Sequence, residues 1–448
     1  MRILERRAGG VWAALFVGLV LLAASCAGGA FAGGAAGAAP PSLQIIHAGH
    51  VIAEPGRAPR AGVSIVIEGE RIRSIQPGFV SADSLGGDAS AAGARIVDLR
   101  DKWVLPGLID THVHLSSIDK PQLLTRSDAF LAVRAAANAQ KALKAGFTTV
   151  RDLGSVGGVV NGVRDAVDAG FLDGPRIISA GPFLSKVGAH TDIASGFRPE
   201  IGVAFADRTM QCVGPVDCER QVRRILDRGA DVVKLVADSV ATADGPVDFS
   251  DAELEAIVRT ARSRGAHVAV HAHTDAAISA ALRAGARSVE HSTHASDRTV
   301  RLFKSQGGYL SPTLIALESV KALLPQLSPE VQAEIAPLTE DIGQVLRRAH
   351  GAGVKIVFGT DAGVFPHGQN ADEFEAMMRY GGLSAEEALM AATTTAAQML
   401  DMSDNIGALK PGAYADVIAV DENPLQSIST LKSVRFVMKG GQTIGTAP

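Results

Sequence analysis

The chain of 448 residues has few aromatic residues, only three cysteines and no excess of positive charge. Aromatic residues make up 4% of the sequence, which argues against surfaces on which nucleic-acid bases stack. The formal net charge is -4 at pH 7, and no basic run follows the first residues, so nothing indicates nucleic acid as a partner. The 47% of hydrophobic residues and the 48 glycines suit an enzyme-sized chain with one large α/β domain and a smaller one.

The N-terminal residues have the composition of an export signal. "MRILERR" is basic, "VWAALFVGLVLLAA" is apolar but short for a membrane span, and small residues follow. Residues 1–32 are therefore predicted to be a signal peptide cleaved after Ala32, and residues 33–42 a flexible linker. "LLAASC" resembles a bacterial lipobox, so a lipid anchor at Cys26 is the alternative and the only predicted membrane contact. Both alternatives predict an exported protein, periplasmic or extracellular.

Export changes the interpretation of the two cysteines that remain, Cys212 and Cys218. They flank a Gly-Pro turn in "QCVGPVDCE" and are expected in an oxidising compartment, which favours a short surface disulfide. Two unpaired thiols are the alternative, because spacing alone does not guarantee bridging geometry.

One pattern repeats along the middle of the chain. A helical stretch ends in a small residue and Gly, and an apolar strand follows, as in "LKAGFTTVRDL", "DRGADVVKLVAD" and "GAGVKIVFGTD". Eight such strands predict an α/β fold, a closed (β/α)8 TIM barrel over residues 106–405, with functional side chains at the C-terminal strand ends. A doubly wound open sheet is the alternative, although no Gly-rich dinucleotide loop follows the first strand.

The flanks of the barrel have period-two apolar patterns and tight turns instead. Examples are "GVSIVIEGERIRSIQPG" near the N-terminus and "VRFVMKGGQTI" near the C-terminus. Because neither end has enough strands for a core, residues 43–105 and 406–448 are predicted to form one small composite β-sandwich.

Polar residues recur where the barrel strands end. In "DVVKLVAD" a lysine, Lys234, interrupts a buried strand, and an unpartnered ammonium there is costly. Histidines two residues apart share one face of a strand, which here is the barrel interior. Imidazole and carboxylate groups that converge from several strands are metal ligands by type. The other candidates are His112, His114, His271, His273, His291 and Asp361.

These motifs together resemble the amidohydrolase superfamily of metal-dependent hydrolases, in particular its prolidase-like and ochratoxinase-like branch. "LPGLIDTHVHL" is similar to the first-strand signature, "VVKLV" to the strand with a carbamylated lysine, "VHAHT" and "VEHS" to strands five and six, and "FGTDAG" to strand eight. The resemblance covers nearly the whole mature chain. The loop "ADSVATADGPVDFS" after Lys234 departs from the Gly-rich stretch of relatives, so the shape of the substrate pocket does not carry over.

The resemblance implies that Lys234 reacts with CO2 and that its carbamate bridges two divalent metals. The carbamate is anionic, so two cations would neutralise it and no ammonium would remain buried. The alternative is an unmodified lysine that extends to the barrel mouth or pairs with Asp361.

The resemblance also assigns the metal ligands. His112, His114 and Asp361 would bind the more buried metal, and His271 and His291 the other; nitrogen and oxygen donors favour zinc, but also suit manganese, cobalt or iron. A water shared by both metals would be the nucleophile, and Asp361 would pass its proton to the leaving amine.

Three further histidines are candidates for other roles. His273 is one step nearer the barrel mouth than His271 and is expected to contact the substrate, although the two could exchange roles. His190 in "VGAHTD" resembles a "GGHGD" loop of the branch, with Ala189 and Thr191 in place of glycines, and is expected to polarise the carbonyl or bind a substrate carboxylate. His294 is expected to support the ligands or to cap a helix.

The function predicted from the resemblance is a binuclear amidohydrolase that cleaves a peptide or amide bond next to a C-terminal amino acid. Its substrate would be a dipeptide such as Xaa-Pro or an N-acyl amino acid of the ochratoxin type. A ring-opening hydrolase, lactonase or deaminase on the same barrel is the alternative, and an exported metal-binding protein without turnover is a remote one. Neither the substrate nor the choice between monomer and homo-oligomer follows from the sequence.

Overall fold

The structure is a computed structural model that describes residues 43–85, 94–117, 122, 125–187, 198, 200, 210–239 and 242–445. The predicted signal peptide, linker and lipidation site, and the predicted substrate contact His190, lie outside these residues. Within the described ranges, no helix is long and apolar enough to cross a membrane.

Four strands precede the barrel. Their Val and Ile residues suit a pleated, half-buried surface. β1 pairs antiparallel with β2 and parallel with β4, and β2 pairs antiparallel with β3. The strands are β1 (Leu43–Val51), β2 (Arg60–Glu68), β3 (Arg71–Pro77) and β4 (Arg95–Pro106).

The next ten strands form the middle of the chain, and eight of them are the barrel strands. β8 and β9 have two residues each and extend the sheet beside β10. Every strand pair among the ten is parallel. The strands are β5 (Leu108–Val113), β6 (Phe147–Asp152), β7 (Arg176–Ser179), β8 (Leu184–Ser185), β9 (Met210–Gln211), β10 (Val233–Val236), β11 (Val268–Ala272), β12 (Ser288–His291), β13 (Tyr309–Ser311) and β14 (Lys355–Ile356).

Helices separate most of these strands, and glycines such as Gly285 and Gly307 end them, as the repeated pattern predicts. Ser250 and Glu253 form a reciprocal capping box, whereas Gly285 and Gly307 end two helices in the left-handed conformation. The α-helices are α1 (Asp128–Lys144), α2 (Val159–Asp168), α3 (Pro215–Asp227), α4 (Asp251–Ser263), α5 (Asp275–Ala284), α6 (Asp297–Gln306), α7 (Leu314–Leu323), α8 (Pro329–Ile335), α9 (Gln344–Gly351), α10 (Asp372–Gly381), α11 (Ala385–Ala391) and α12 (Thr394–Met399). Short 3-10 helices span Ala82–Leu85, Val156–Gly158, Leu324–Gln326, Ala336–Thr339 and Ile428–Lys432.

Three strands near the C-terminus join the four near the N-terminus. They are β15 (Val417–Val420), β16 (Phe436–Lys439) and β17 (Gln442–Ile444). β15 pairs antiparallel with β4, which gives one seven-stranded sheet in the order β17-β16-β15-β4-β1-β2-β3. Apolar residues from both ends of the chain, such as Ile65 and Val417, share one core cluster. The two ends of the barrel segment are thereby held together.

The barrel closes through hydrogen bonds between the ends of its two sheets. The Asp231 amide, just before β10, donates to the Ser179 carbonyl of β7 over 2.7 Å. On the other side, the Thr111 amide of β5 donates to the Phe358 carbonyl over 2.9 Å, and the His114 amide to the Ala362 carbonyl over 2.7 Å. β5 therefore has neighbours on both sides. The predicted (β/α)8 barrel is confirmed, and the open-sheet alternative is wrong.

The two described cysteines form the predicted disulfide. Cys212 and Cys218 are bridged, with their Cα atoms 4.9 Å apart. Both residues are buried against the apolar core that contains Val222 of α3, so the expectation of a surface bridge is wrong. The Gly-Pro turn suggested a surface position, but Cys212 follows β9 and Cys218 lies in the first turns of α3, and both side chains point into the core.

Candidate metal centre in the barrel

The C-terminal ends of the barrel strands bring together all the predicted metal ligands. β5 supplies one and is directly followed by a second, β10, β11 and β12 supply one each, and the last follows β14 at the point where the chain returns beside β5. Two overlapping groups of side chains could each hold a metal ion, with donor atoms within 4.8 Å of one another. The predicted ligands are His112, His114, Lys234, His271, His291 and Asp361.

The first group consists of His112, His291 and Asp361, and the predicted ligand His114 is not part of it, although His114 also lies against the carboxylate of Asp361. Oδ1 of Asp361 lies 3.1 Å from Nε2 of His114 and 3.4 Å from Nε2 of His112. A Cβ atom at Gly359 would lie only 3.0 Å from Cβ of His112, so the glycine of "FGTDAG" allows the close approach of the two segments. The first predicted ligand set is therefore spatially compact.

The second group consists of imidazoles from β11 and β12. The His271 ring centroid lies 4.5 Å from that of His291, and the His273 centroid lies 4.8 Å from the same ring. All three side chains belong to one potential metal group. His273, the predicted substrate contact, is thus nearly as close to His291 as the predicted ligand His271 is, so the structure offers both histidines as ligands.

Lys234 projects from β10 into the same interior. The side chain is only 2% exposed, and Nζ has no hydrogen-bond partner among the described residues. Burial lowers the pKa of the ammonium to about 8, although Glu290 and Asp361 act in the opposite direction. A lysine that extends to water is excluded by this burial, and no ion pair joins it to Asp361 in the described part of the chain.

Four histidines use their Nδ1 atoms for contacts away from the centre. Such contacts orient the ring and leave Nε2 for another partner. The Nδ1 contacts are His112 with Oε2 of Glu290 at 3.1 Å, His114 with the Gly154 carbonyl at 3.2 Å, His273 with Oγ1 of Thr293 at 2.8 Å and His291 with Oγ1 of Thr313 at 2.7 Å.

The charge states of His112, His291 and Asp361 suit metal binding, whereas burial of His114 is outweighed by its contact with Asp361, so the pKa of His114 is raised. Burial lowers the pKa of His112 to about 4, and burial together with neighbouring imidazoles lowers that of His291 well below its usual value. Both rings are therefore neutral near pH 7 and have a lone pair to donate. Burial raises the pKa of Asp361, but the adjacent His112 and His114 outweigh it, so the carboxyl pKa is lowered and the group is ionised.

Three residues around the centre have left-handed backbone conformations that non-glycine residues rarely adopt. The φ angles are 68° for His291, 61° for Asp361 and 50° for Thr313. Glu373 supports the last of these, since its carboxylate accepts hydrogen bonds from the amides of Leu314 and Ile315 at the start of α7. Strain that the surrounding structure maintains is typical of functional sites.

Sequence reasoning missed several buried charged residues beside the ligands. Arg151 on β6 and Glu290 on β12 form an ion pair of 3.0 Å. Asp238 accepts hydrogen bonds from the amides of His273 and Thr274. Like Lys234, Arg151 in "TTVRDL" and Glu290 in "SVEHS" are charged residues inside apolar strands, and this pattern is visible in the sequence.

His294 lies in the loop between β12 and α6. It is half-buried, and its amide donates to the His273 carbonyl over 2.9 Å. The helix cap of α6 is Ser296, so the helix-cap expectation for His294 is wrong. Its backbone nevertheless fastens the loop after β12 to the end of β11.

The residues present fit divalent cations. The donors are imidazole nitrogens and carboxylate oxygens, which zinc and similar metals prefer, and they come from rigid strand ends. Nζ of Lys234 is a buried polar atom that needs a partner or a change of chemistry. The same group of side chains without cations would have several buried polar atoms close together and poorly paired.

Comparisons with known proteins agree with this geometry. Residues 103–444 match the model of the amidohydrolase family. Ochratoxinase of Aspergillus niger is 32% identical over 364 residues, which cover 76% of this chain and 75% of that protein. Its crystal structure superimposes with a TM-score of 0.79 and 29% identity, covering 90% of this chain and 95% of that one.

A second solved structure is similar over the same range. It is a Xaa-Pro dipeptidase with bound methionine in the active site, and it has a TM-score of 0.82 and 35% identity, covering 90% of this chain and 100% of that one. Members of this family are generally metal-dependent, in accord with the cluster of histidines and Asp361. The chain belongs to the amidohydrolase family and is a hydrolase that acts on amide bonds.

Proposed function

We propose that this protein is a binuclear metal-dependent hydrolase that cleaves the peptide or amide bond next to a C-terminal amino acid. The observation that carries the proposal is the convergence of the ligand side chains around Asp361 and His291 at the C-terminal end of the barrel. The substrate class is supported by the names of two similar proteins, a Xaa-Pro dipeptidase and an ochratoxinase.

His112, His114 and Asp361 are proposed to hold one divalent cation, and His271 and His291 the other. Zinc is the proposed metal, because its usual protein ligands are nitrogen and oxygen atoms of these types. When bound, two such cations polarise the scissile carbonyl and make water acidic enough to serve as a nucleophile near neutral pH.

Lys234 is proposed to carry a carbamate that lies between the cations. Its unprotonated Nζ forms a bond to the carbon of CO2, the π electrons of one C=O bond move to oxygen, and the nitrogen loses a proton to solvent. The product is an anionic carbamate with two oxygen donors. The support is that Nζ is buried without a hydrogen-bond partner and that the lowered pKa increases the unprotonated fraction of the amine.

Asp361 is proposed to move the proton. Its Oδ1 faces Nε2 of both His112 and His114, so it can accept a proton from water at the centre and release it to the leaving nitrogen. His273, on the mouth side of the site, and His190 are proposed to contact the substrate.

The proposal extends to the place of action. The leader in residues 1–32 is proposed to direct export to the periplasm or cell exterior, as a cleaved protein or a lipoprotein anchored at Cys26. The disulfide between Cys212 and Cys218 supports this, because such bridges persist in oxidising compartments.

The test combines metal analysis with a substrate panel. Purified protein is expected to hold about two divalent ions per chain, to lose hydrolysis on chelation and to regain it on reloading. Metal-loaded protein is then offered Xaa-Pro dipeptides, N-acyl amino acids and lactones. Turnover of the first or second group supports the proposal, whereas full activity after complete metal removal, or turnover of lactones alone, contradicts it.

A further inference from the structure

A buried ion pair crosses the barrel interior beneath the candidate metal centre. Arg151 is 1% exposed and Glu290 0%, and the two come from β6 and β12, which are not neighbours in the barrel. Nη2 of Arg151 lies 3.0 Å from Oε1 of Glu290. Burying two charges is costly, so a buried pair is weak support for a role in stability alone.

The two oxygens of Glu290 have different partners. Oε1 accepts hydrogen bonds from Nη2 of Arg151 and from Oγ of Ser288, which lies 2.5 Å away. Oε2 faces Nδ1 of His112 at 3.1 Å. A carboxylate paired with arginine only accepts hydrogen bonds, so the proton of the neutral His112 ring must be on Nδ1.

This proton position determines what the other ring nitrogen can do. With the proton on Nδ1, Nε2 of His112 has a free lone pair, and it points toward Oδ1 of Asp361, 3.4 Å away. The opposite tautomer would direct an N–H group at the metal position. The carboxylate of Glu290 therefore selects the form of His112 that can bind a cation.

Arg151 also acts on the backbone next to His112. Its Nε donates to the Thr111 carbonyl over 2.6 Å. One guanidinium thus fixes the backbone that precedes the ligand and, through Glu290, the ring of the ligand itself. Arginine suits such a double contact better than lysine, because its donors lie in one plane in a fixed arrangement.

We propose that Arg151 and Glu290 are positioning residues that hold His112 in the metal-binding tautomer and orientation, and thereby set the affinity of the metal bound by His112, His114 and Asp361. The proposal rests on the proposed function, since it requires that this metal is bound. It assigns the ion pair to the metal position of His112, because Oε2 of Glu290 faces Nδ1 of His112, whereas Nδ1 of His291, the next residue after Glu290, faces Oγ1 of Thr313.

Glu290→Gln tests the assignment with little change in shape. The glutamine has one accepting oxygen and one donating nitrogen, so it can satisfy either Arg151 or Nδ1–H of His112, but not both. The affinity of one metal of the pair is expected to fall about 10–100-fold, the usual effect of removing a ligand's supporting partner, while the affinity of the other stays within about twofold. Competition with a chromogenic chelator gives both dissociation constants.

Ser288→Ala is the matched control. It removes the hydroxyl that contacts Oε1 of Glu290 and Nη2 of Arg151, but leaves the ion pair and Oε2, which faces His112, in place, so both metal affinities are expected to stay within about twofold of wild type. If the ion pair served stability alone, Glu290→Gln would lower the thermal midpoint of the metal-free protein and leave both metal affinities unchanged. Unchanged affinities in folded Glu290→Gln would overturn the proposal.

Wild-type protein provides a second measurement if Glu290→Gln does not fold. Nitrogen NMR of metal-free protein with ¹⁵N-labelled histidine rings should report a proton on Nδ1 of His112, assigned by its absence in His112→Asn. A proton on Nε2 would overturn the proposal. Wild type that binds no metal at all would instead refute the proposed function, so the two failures are distinguishable.

Discussion

Lys234→Met separates two effects of the buried lysine, its proposed role as the carbamate ligand and the cost of burying its ammonium. Methionine has nearly the same length and no charge, so the substitution removes the ammonium without opening a cavity. If Lys234 carries the bridging carbamate, the variant loses metal and activity. If the protein is stripped of metal, the same variant should be more stable than wild type, because Nζ is buried without a hydrogen-bond partner.

The size of the stability gain follows from the pKa of Lys234, which burial lowers from 10.5 to about 8. Each unit corresponds to about 1.4 kcal/mol, so the buried ammonium costs about 3 kcal/mol, as an upper estimate. Below pH 8 the lysine is protonated in both the folded and the unfolded chain, and the full penalty applies. Between about pH 8 and 10.5 only the unfolded chain keeps the proton, so the free energy of unfolding of metal-free wild type rises with pH by the same amount.

Urea unfolding of both metal-free proteins at pH 7 and at pH 10 measures this difference. The variant is expected to be more stable by up to about 3 kcal/mol at pH 7, with most of the difference gone at pH 10. Equal stability at pH 7 would refute the burial argument.

Wild-type metal content and turnover in Lys234→Met would refute the carbamate, as they would in Lys234→Arg, whose guanidinium cannot form one. Partial rescue of Lys234→Ala by acetate would support a bridging role for two carboxylate-type oxygens.

Three further predictions concern other residues. Asp361→Asn should lower kcat/KM about 10²–10⁴-fold with little change in the circular dichroism spectrum. Asparagine tolerates the left-handed backbone at this position but cannot take the proton. Unchanged kinetics would contradict the proposed role of Asp361 in proton transfer. Thr313→Val removes the hydroxyl beside Nδ1 of His291 and should lower the affinity for the metal at that ligand about 10–100-fold. Thr313→Ser should restore the affinity, and chelator competition measures both variants. In native mature protein, Cys212 and Cys218 should not react with a thiol reagent before reduction, and rapid labelling by mass spectrometry would show that they are not bridged.

The fold and the convergence of the candidate ligands could be predicted because their signals are local. Each helix stop and apolar strand lies within about a dozen residues, and each candidate ligand stands in such a strand or directly after it. The contact between Arg151 and Glu290 spans 139 positions and depends on which strands face each other across the barrel. No periodicity in the sequence reports that distance, so the pair was not found.

The strained backbone at Thr313 could not be predicted from the sequence either. Thr313 has φ of 50°, although a β-branched residue disfavours positive φ, and sequence preference alone would predict an extended conformation there. The buried carboxylate of Glu373, which holds the first amides of α7, makes that conformation tolerable. A residue 60 positions away thus determines how Thr313 meets His291, and only the folded chain brings the two together.

The charges at the centre link the proposed carbamate to the proposed metals. In the unmodified chain, the ammonium of Lys234 and the guanidinium of Arg151 balance the carboxylates of Asp361 and Glu290. A carbamate on Lys234 reverses one of these charges, which leaves an excess of buried negative charge that only cations can offset. Each event therefore favours the other, and by linkage the coupling is the same in both directions. Removal of CO2 should weaken metal binding, and removal of metal should return Lys234 to a free amine whose buried ammonium destabilises the fold.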